Sequence, residues 1–139
     1  MSADDLAATH AAAFQNARGW SAAEFTRLLA QDTTLLIGDA ASFILASIVL
    51  DEAEILTVAS HPEVQRQGRA QANFAELERQ LAERSVTRIF LEVAADNQPA
   101  ITFYTRLGFA KIATRSGYYH RSDGPAVDAE IYEKKLNAR

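Results

Sequence analysis

The sequence predicts an α+β fold: one mixed, mostly antiparallel sheet flanked by helices. Three observations carry that prediction. β-Rich runs over 34–37, 42–50 and 54–60 are divided by the turn signals Gly38-Asp39 and Asp51-Glu52, the pattern of a meander. The apolar run Ile55-Leu56-Thr57-Val58 then leads through Val64-Gln65-Arg66-Gln67-Gly68-Arg69-Ala70 into a helix carrying Phe74, Leu77 and Leu81. Beyond that helix, a strand over 87–93, a helix over 97–108 and a strand-like tail over 127–136 alternate, so strands and helices are interspersed and part of the sheet is parallel.

Each element has a local cause. Leu6, Phe14, Phe25, Leu28 and Leu29 stand among alanines and polar residues and predict a helical first third. Gly19-Trp20-Ser21 interrupts it. Ser21 is placed to cap a second helix, and Glu24 three residues later completes a capping box. His61-Pro62 stops the third strand, because proline cannot continue a ladder. The helix that follows is predicted over 67–84. Asn97 is a good N-cap, Pro99 is tolerated in the first turn, and Gly108 is a C-terminal stop.

The bulk properties exclude several classes. A chain of 139 residues, 48% hydrophobic, suits one compact domain over 1–139 with a real core. A net charge of −4 and no Lys/Arg run leave no footprint for nucleic acid. The absence of cysteine rules out a disulfide framework, thiolate ligands and a Cys nucleophile, and fits a cytoplasmic location. The acidic Met1-Ser2-Ala3-Asp4-Asp5 has no signal-peptide character, and the longest apolar stretch, 43–50, is too short to span a bilayer. His10, His61 and His120 have no ligand spacing, so no metal site is expected.

Three places bear on chemistry. A strand entering a helix through a glycine turn leaves amide N–H groups unpaired at the positive end of the helix dipole, a site for phosphate or pyrophosphate. Gly68 supplies backbone freedom there, and Arg66 and Arg69 add positive charge. An ordinary polar connection would be spelled much the same way. Glu92 lies in Ile89-Phe90-Leu91-Glu92-Val93 and points away from the face shared by Ile89, Leu91 and Val93. It reads either as a general base or as a salt-bridged strand glutamate. Tyr104 shares a helix face with Ile101 and Leu107 and reads either as a proton donor at a site or as a core tyrosine.

Gln65-Arg66-Gln67-Gly68-Arg69-Ala70 resembles the acyl-CoA pyrophosphate loop of the GNAT superfamily of N-acetyltransferases. Asp96 to Phe109 resembles the second signature of that superfamily, Asn-x-x-Ala-x-x-x-Tyr-x-x-x-Gly-Phe, at the expected distance downstream. With both motifs in register, the chain is identified as a member. A narrower resemblance, to the bacterial ribosomal-protein-alanine N-acetyltransferases, runs through Leu50 to Leu56, His61 to Gly68, Leu91-Glu92-Val93, Arg115 to Tyr119, Asp123-Gly124 and Asp128-Ala129.

The resemblance implies acetyl-CoA as cosubstrate, no metal, and direct acetyl transfer to a primary amine. The implied partner is a peptide or protein N-terminus, the N-terminal alanine of a ribosomal protein, with no nucleic acid and no membrane. A small-molecule amine or a lysine side chain as acceptor, or a non-catalytic acyl-CoA-binding module, stand as alternatives. By the same resemblance Glu92 is the general base and Tyr104 the general acid. Val58 and Ser60 lie on the backbone that holds acetyl and pantetheine. Gln65, Arg66, Gln67, Gly68, Arg69 and Ala70 hold the pyrophosphate, and Asn97 helps hold the CoA arm. Tyr118 and Tyr119 either line a peptide groove or form a hydrophobic clasp on the last hairpin.

Several positions depart from the family pattern. Ser60 and His61 stand where relatives carry Val and Asp, Ala70 replaces a glycine, and Asn73 stands where a leucine is preferred. His61 reads as an alternative base or, beside Pro62, as a loop residue. The usual first strand is expected to be missing or shortened. The edge this leaves would invite pairing with a second copy, although the sequence carries no signal of oligomeric state.

Overall fold

A computed structural model describes residues 2–13, 20–121 and 124–136, with only the backbone of 119–121. Its elements are α1 (Ala3–Ala13), α2 (Ala22–Leu29), β1 (Thr34–Asp39), β2 (Ser42–Val49), β3 (Glu52–Ser60), a 3-10 turn (Pro62–Val64), α3 (Arg69–Glu83), β4 (Arg88–Ala94), α4 (Gln98–Arg106), β5 (Ala110–Arg121) and β6 (Gly124–Lys135). The six strands form one sheet in the order β1-β2-β3-β4-β6-β5, antiparallel throughout except for the parallel pair β3–β4.

The expected local causes operate. The Ser21 hydroxyl accepts from the Glu24 N–H at 3.1 Å while the Glu24 carboxylate accepts from the Ser21 N–H at 3.0 Å, closing the capping box of α2. Asn97 caps α4 by accepting from the Ala100 N–H at 3.3 Å. Phe74, Leu77 and Leu81 recur at helical spacing on α3 and are fully buried. They meet Ile44, Ala46, Ile89 and Leu91 on one face of the sheet. Burying each such side chain contributes about 1.5–3 kcal/mol. On the opposite face Phe43, Leu45 and Ala59 pack against Leu6 of α1 and Phe25 of α2. Both faces of β2 and β3 are therefore covered, which is why β2 reads as a nearly continuous apolar run.

The sheet opens between β3 and β4. Their ladder joins only Glu52, Ala53 and Glu54 to Arg88, Ile89 and Phe90, yet β3 continues to Ser60 and β4 to Ala94. The cause lies two residues further along β3. Leu45 pairs with Thr57 and Ala46 with Ile55, so Leu56 is an extra residue on β3. A bulge of this kind bends its strand and raises the local twist. β3 leaves β4 there, and a wedge opens with unpaired backbone along β3.

Two expectations are corrected or completed. Residues 110–121, for which no strand is expected, form the long strand β5. Residues 110–118 are all exposed, so no buried/exposed alternation marks this edge strand in the sequence. Among the described residues no strand precedes α1, in line with the expected loss of the first strand, and β1 is an edge of the sheet. Phe14 and Gly19 lie outside the described residues. No described helix is long and apolar enough to cross a membrane.

Candidate functional site

The loop after β3 is held in an unusual backbone. Arg66 has φ +65° and Gly68 φ +74°, both in the left-handed region. Gly68 is the N-cap of α3, and no side chain caps that helix end. The first-turn amides of a helix have no intrahelical acceptor, so this end is left open for an external one. It forms one wall of a cavity of about 320 Å³, where Gln65, Arg66, Gly68, Arg69 and Ala70 face Val58 and Ser60 of β3. Ala100, Phe103 and Tyr104 of α4 complete the wall.

Side chains around the cavity are largely committed to holding its shape. Gln65 donates its amide to the Ser60 carbonyl at 3.0 Å. Gln67 turns back to the Glu63 carbonyl at 3.4 Å and is not part of the lining. Arg69 is ion-paired with Asp39 in the β1–β2 turn. Burial raises the Asp39 pKa, but N–H donation from Ser42 and Ala41 and the Arg69 guanidinium outweigh it and hold the carboxyl below its ordinary value. His61 accepts from the Glu63 N–H at 3.2 Å, capping the 3-10 turn as a loop residue.

Tyr104 is half-buried. Its ring meets Phe74, Phe103 and Phe109 edge-on at 5.9, 5.6 and 5.9 Å between centroids, and the residue also lines the cavity. The ring belongs to the core and the residue also reaches the cleft. Asn97 is exposed at the N-terminus of α4 and does not line the cavity.

Glu92 lies elsewhere. It pairs with Ile131 across the β4–β6 ladder, on the face of the sheet away from α3. A second cavity of about 330 Å³ opens there, lined by Glu52 and Glu54 of β3, Phe90, Leu91 and Glu92 of β4, Ile131 of β6, and Ser47 and Val49 of β2. The first cavity lies beside Val58 and Ser60, where β3 has left β4, whereas the second lies over the still-paired Glu52–Glu54 segment and extends along β4 to Glu92. The structure therefore brings eight of the expected residues, Val58, Ser60, Gln65, Arg66, Gly68, Arg69, Ala70 and Tyr104, into one cleft and places Glu92 on the other side of the sheet.

Sequence reasoning gave no role to Arg115. Its guanidinium donates to Glu92 at 2.8 Å and sits 3.8 Å from the Tyr118 ring centroid. The hydrogen bond it donates to Glu92 pushes the guanidinium pKa above its already high ordinary value. Tyr118 is exposed and reaches Glu92 through this arginine. Arg115 and Glu92 are 23 positions apart and meet only because β6 pairs with both β4 and β5, leaving a single strand between them. The Tyr119 backbone pairs with Val127, and its side chain lies outside the described atoms. Among the described residues no group of His, Asp and Glu could hold a metal ion.

Comparison with known proteins follows this geometry. A model described as "Acetyltransferase (GNAT) family" matches residues 4–109. The [ribosomal protein bS18]-alanine N-acetyltransferase of Escherichia coli K12 is 40% identical over 87 residues, 63% of this chain and 59% of that protein. The alignment thus spans well under two thirds of the curated relative's length. The crystal structure of the ribosomal-protein-S18-alanine N-acetyltransferase from Escherichia coli superposes with TM-score 0.88 at 30% identity, covering 99% of this chain and 89% of the other. A PaiA N-acetyltransferase from Thermoplasma acidophilum, solved in complex with coenzyme A, shares the fold with TM-score 0.67 at 21% identity, over 84% of this chain and 72% of that one.

Proposed function

Because this chain belongs to the acetyltransferase (GNAT) family, we propose that it transfers acetyl from acetyl-CoA directly to a primary amine, the N-terminal alanine of a ribosomal protein. The observation that carries the reading is the cleft beside the parted end of β3, whose open α3 N-terminus suits a pyrophosphate and whose lining includes Tyr104, with the Glu92 carboxylate in a groove on the other face of the same sheet. The open N-terminus of α3 fits a polyphosphate by its unpaired amides and dipole. The cleft continues along Val58 and Ser60 toward Tyr104, giving room for an extended arm. Acetyl-CoA supplies an activated acyl carbon as its thioester.

The roles divide between the two faces. Glu92, acting through water, takes a proton from the acceptor ammonium on its side of the sheet. The freed amine forms the N–C bond at the acyl carbon as the C–S bond breaks. The unpaired β3 backbone beside the wedge is placed to donate an N–H to the carbonyl oxygen as it gains charge. Tyr104 gives its proton to the departing sulfur from the cleft side. The net result is one amide, one thiol and one proton released. Holding both substrates in a single wedge supplies much of the rate by proximity. Arg115 holds Glu92 in place, and Tyr118 packs on that arginine at the mouth of the groove. The alanine acceptor rests on the similarity to the Escherichia coli enzymes.

The test is acetylation followed by mass spectrometry. The protein and acetyl-CoA meet peptides with free N-terminal Ala, Ser, Met or Gly, N-blocked lysine peptides, and polyamines. Mass gain on the Ala-starting ribosomal peptide, at its α-amine, is the expected outcome. Gain on lysines or polyamines alone would discard the alanine acceptor and keep the chemistry.

A further inference from the structure

Three residues, Asn73, Ser42 and Ser60, form a hydrogen-bonded chain that ends in the cleft, and two of them, Asn73 and Ser60, stand at positions where the sequence departs from its family. Asn73 on α3 places its Nδ2 3.1 Å from the Ser42 carbonyl oxygen and 3.2 Å from the Ser42 Oγ. A carbonyl oxygen only accepts, so the amide is fixed with its NH₂ toward Ser42 and its two hydrogens are both used. The Ser42 Oγ therefore accepts from Asn73. It lies 2.8 Å from the Ser60 Oγ. Ser42 is only 1% exposed, so water is not at hand for its proton, which goes to the Ser60 oxygen. The Ser60 hydroxyl, already an acceptor, is left with one proton to donate, and Ser60 lines the cleft.

Neighbouring residues lock the chain. Gly38 has φ +99°, and a Cβ there would stand 2.3 Å from the Ser42 carbonyl oxygen and 2.9 Å from Asn73 Nδ2. Only glycine leaves room for the amide. At the other end Gln65 occupies the Ser60 carbonyl, which ties the strand terminus to the loop.

We propose that the Ser60 hydroxyl is a dedicated hydrogen-bond donor to an amide carbonyl of the pantetheine arm, and that Ser42 and Asn73 are positioning residues that aim its proton into the cleft. The inference rests on the acyl-CoA reading above. The pantetheine arm carries two amide carbonyls, and a donor pre-aimed from the protein side loses no rotor freedom on binding. The same relay gives Asn73 a task that the leucine of its relatives could not perform.

The experiment is calorimetric titration of the whole chain with two ligands: CoA, and adenosine 3′,5′-bisphosphate, which lacks the pantetheine arm. Ser60→Ala should weaken CoA about 3- to 10-fold, one hydrogen bond's worth, and leave the bisphosphate unchanged. Ser60→Thr, which keeps the hydroxyl, should restore CoA affinity. Asn73→Leu should weaken CoA in the same ligand-selective way, and the double variant Asn73→Leu/Ser60→Ala should be no weaker than Ser60→Ala alone. Unchanged CoA affinity in Ser60→Ala overturns the proposal. So does parallel weakening of both ligands, which would mean that Ser60 merely holds the loop. If the unaltered protein binds neither ligand, the acyl-CoA reading itself falls and takes this inference with it.

Discussion

The two sides of the sheet are built from different materials. On the α3 side, the cleft is shaped by backbone: left-handed Arg66 and Gly68, the uncapped start of α3, and the strand edge at Val58 to Ser60. Its polar side chains mostly brace that backbone, as Gln65 does at Ser60 and Arg69 at Asp39. On the other side the groove is made of side chains from four strands, with Glu92 tied to Arg115 and Glu52 and Glu133 tied to Arg88. A backbone-built site tolerates side-chain change and recognises what every ligand of a class shares. A side-chain-built site alters with each substitution, so under the proposed function acceptor choice is expected on the Glu92 face.

Substitutions can break that contrast or sharpen it. The largest effect is expected from Glu92→Gln, which should lower kcat by about 10³-fold while CoA affinity in calorimetry stays the same. Loss of CoA binding in that variant would show that the two faces are not separate. Tyr104→Phe should lower kcat by about 10²-fold in the same steady-state assay, again with little change in the acetyl-CoA KM, because the ring and its core contacts remain. Arg115→Met should reduce acceptor kcat/KM by about 10-fold through loss of Glu92 positioning, with the acetyl-CoA KM unaffected.

Smaller effects test the backbone claim. Nothing lies within 4 Å of a Cβ built at Gly68, so Gly68→Ala brings only conformational strain. A loss of about 1 kcal/mol in urea-unfolding stability is expected, the cost of a left-handed non-glycine residue. The smallest effect concerns Asp39. Its folded-state pKa lies below the ordinary 3.8, so its contribution is fully present above that value and disappears as pH falls through the lower one. The pair with Arg69 is half-exposed, and Asp39→Asn should remove only a few tenths of a kcal/mol from the acid limb of a stability–pH curve.

Legibility followed the same division. The loop and the α4 signature are local runs: Gln65, Arg66, Gly68, Arg69, Ala70 and Tyr104 meet at one cleft while Gln67 and Asn97 stay outside its lining, and Asn97 and Ser21 cap their helices as expected. Glu92 was assigned to the correct face because strand alternation is a local rule. Arg115 was passed over because its partner lies two strands away in the sheet order, and no short-range pattern links positions 92 and 115. β5 was missed because an exposed edge strand needs no apolar alternation. Asn73, odd against a helix's apolar face, made sense only once Ser42 and Ser60 stood beside it.

What the sequence determined by itself was therefore the mixed sheet, the order of its elements except β5, the glycine turn that opens α3 and the face of the strand on which Glu92 lies. Periodicity, caps and glycine placement act over a few residues and do not depend on what lies across the molecule. Only the tertiary structure decided that β3 and β4 part near the Leu56 bulge, that Tyr104 and Glu92 line cavities on opposite faces of the sheet, and that Asn73, Ser42 and Ser60 meet in one hydrogen-bonded chain at the cleft. Those outcomes depend on strand register and on pairs far apart in the chain, which are set by packing of the whole domain rather than by any segment alone.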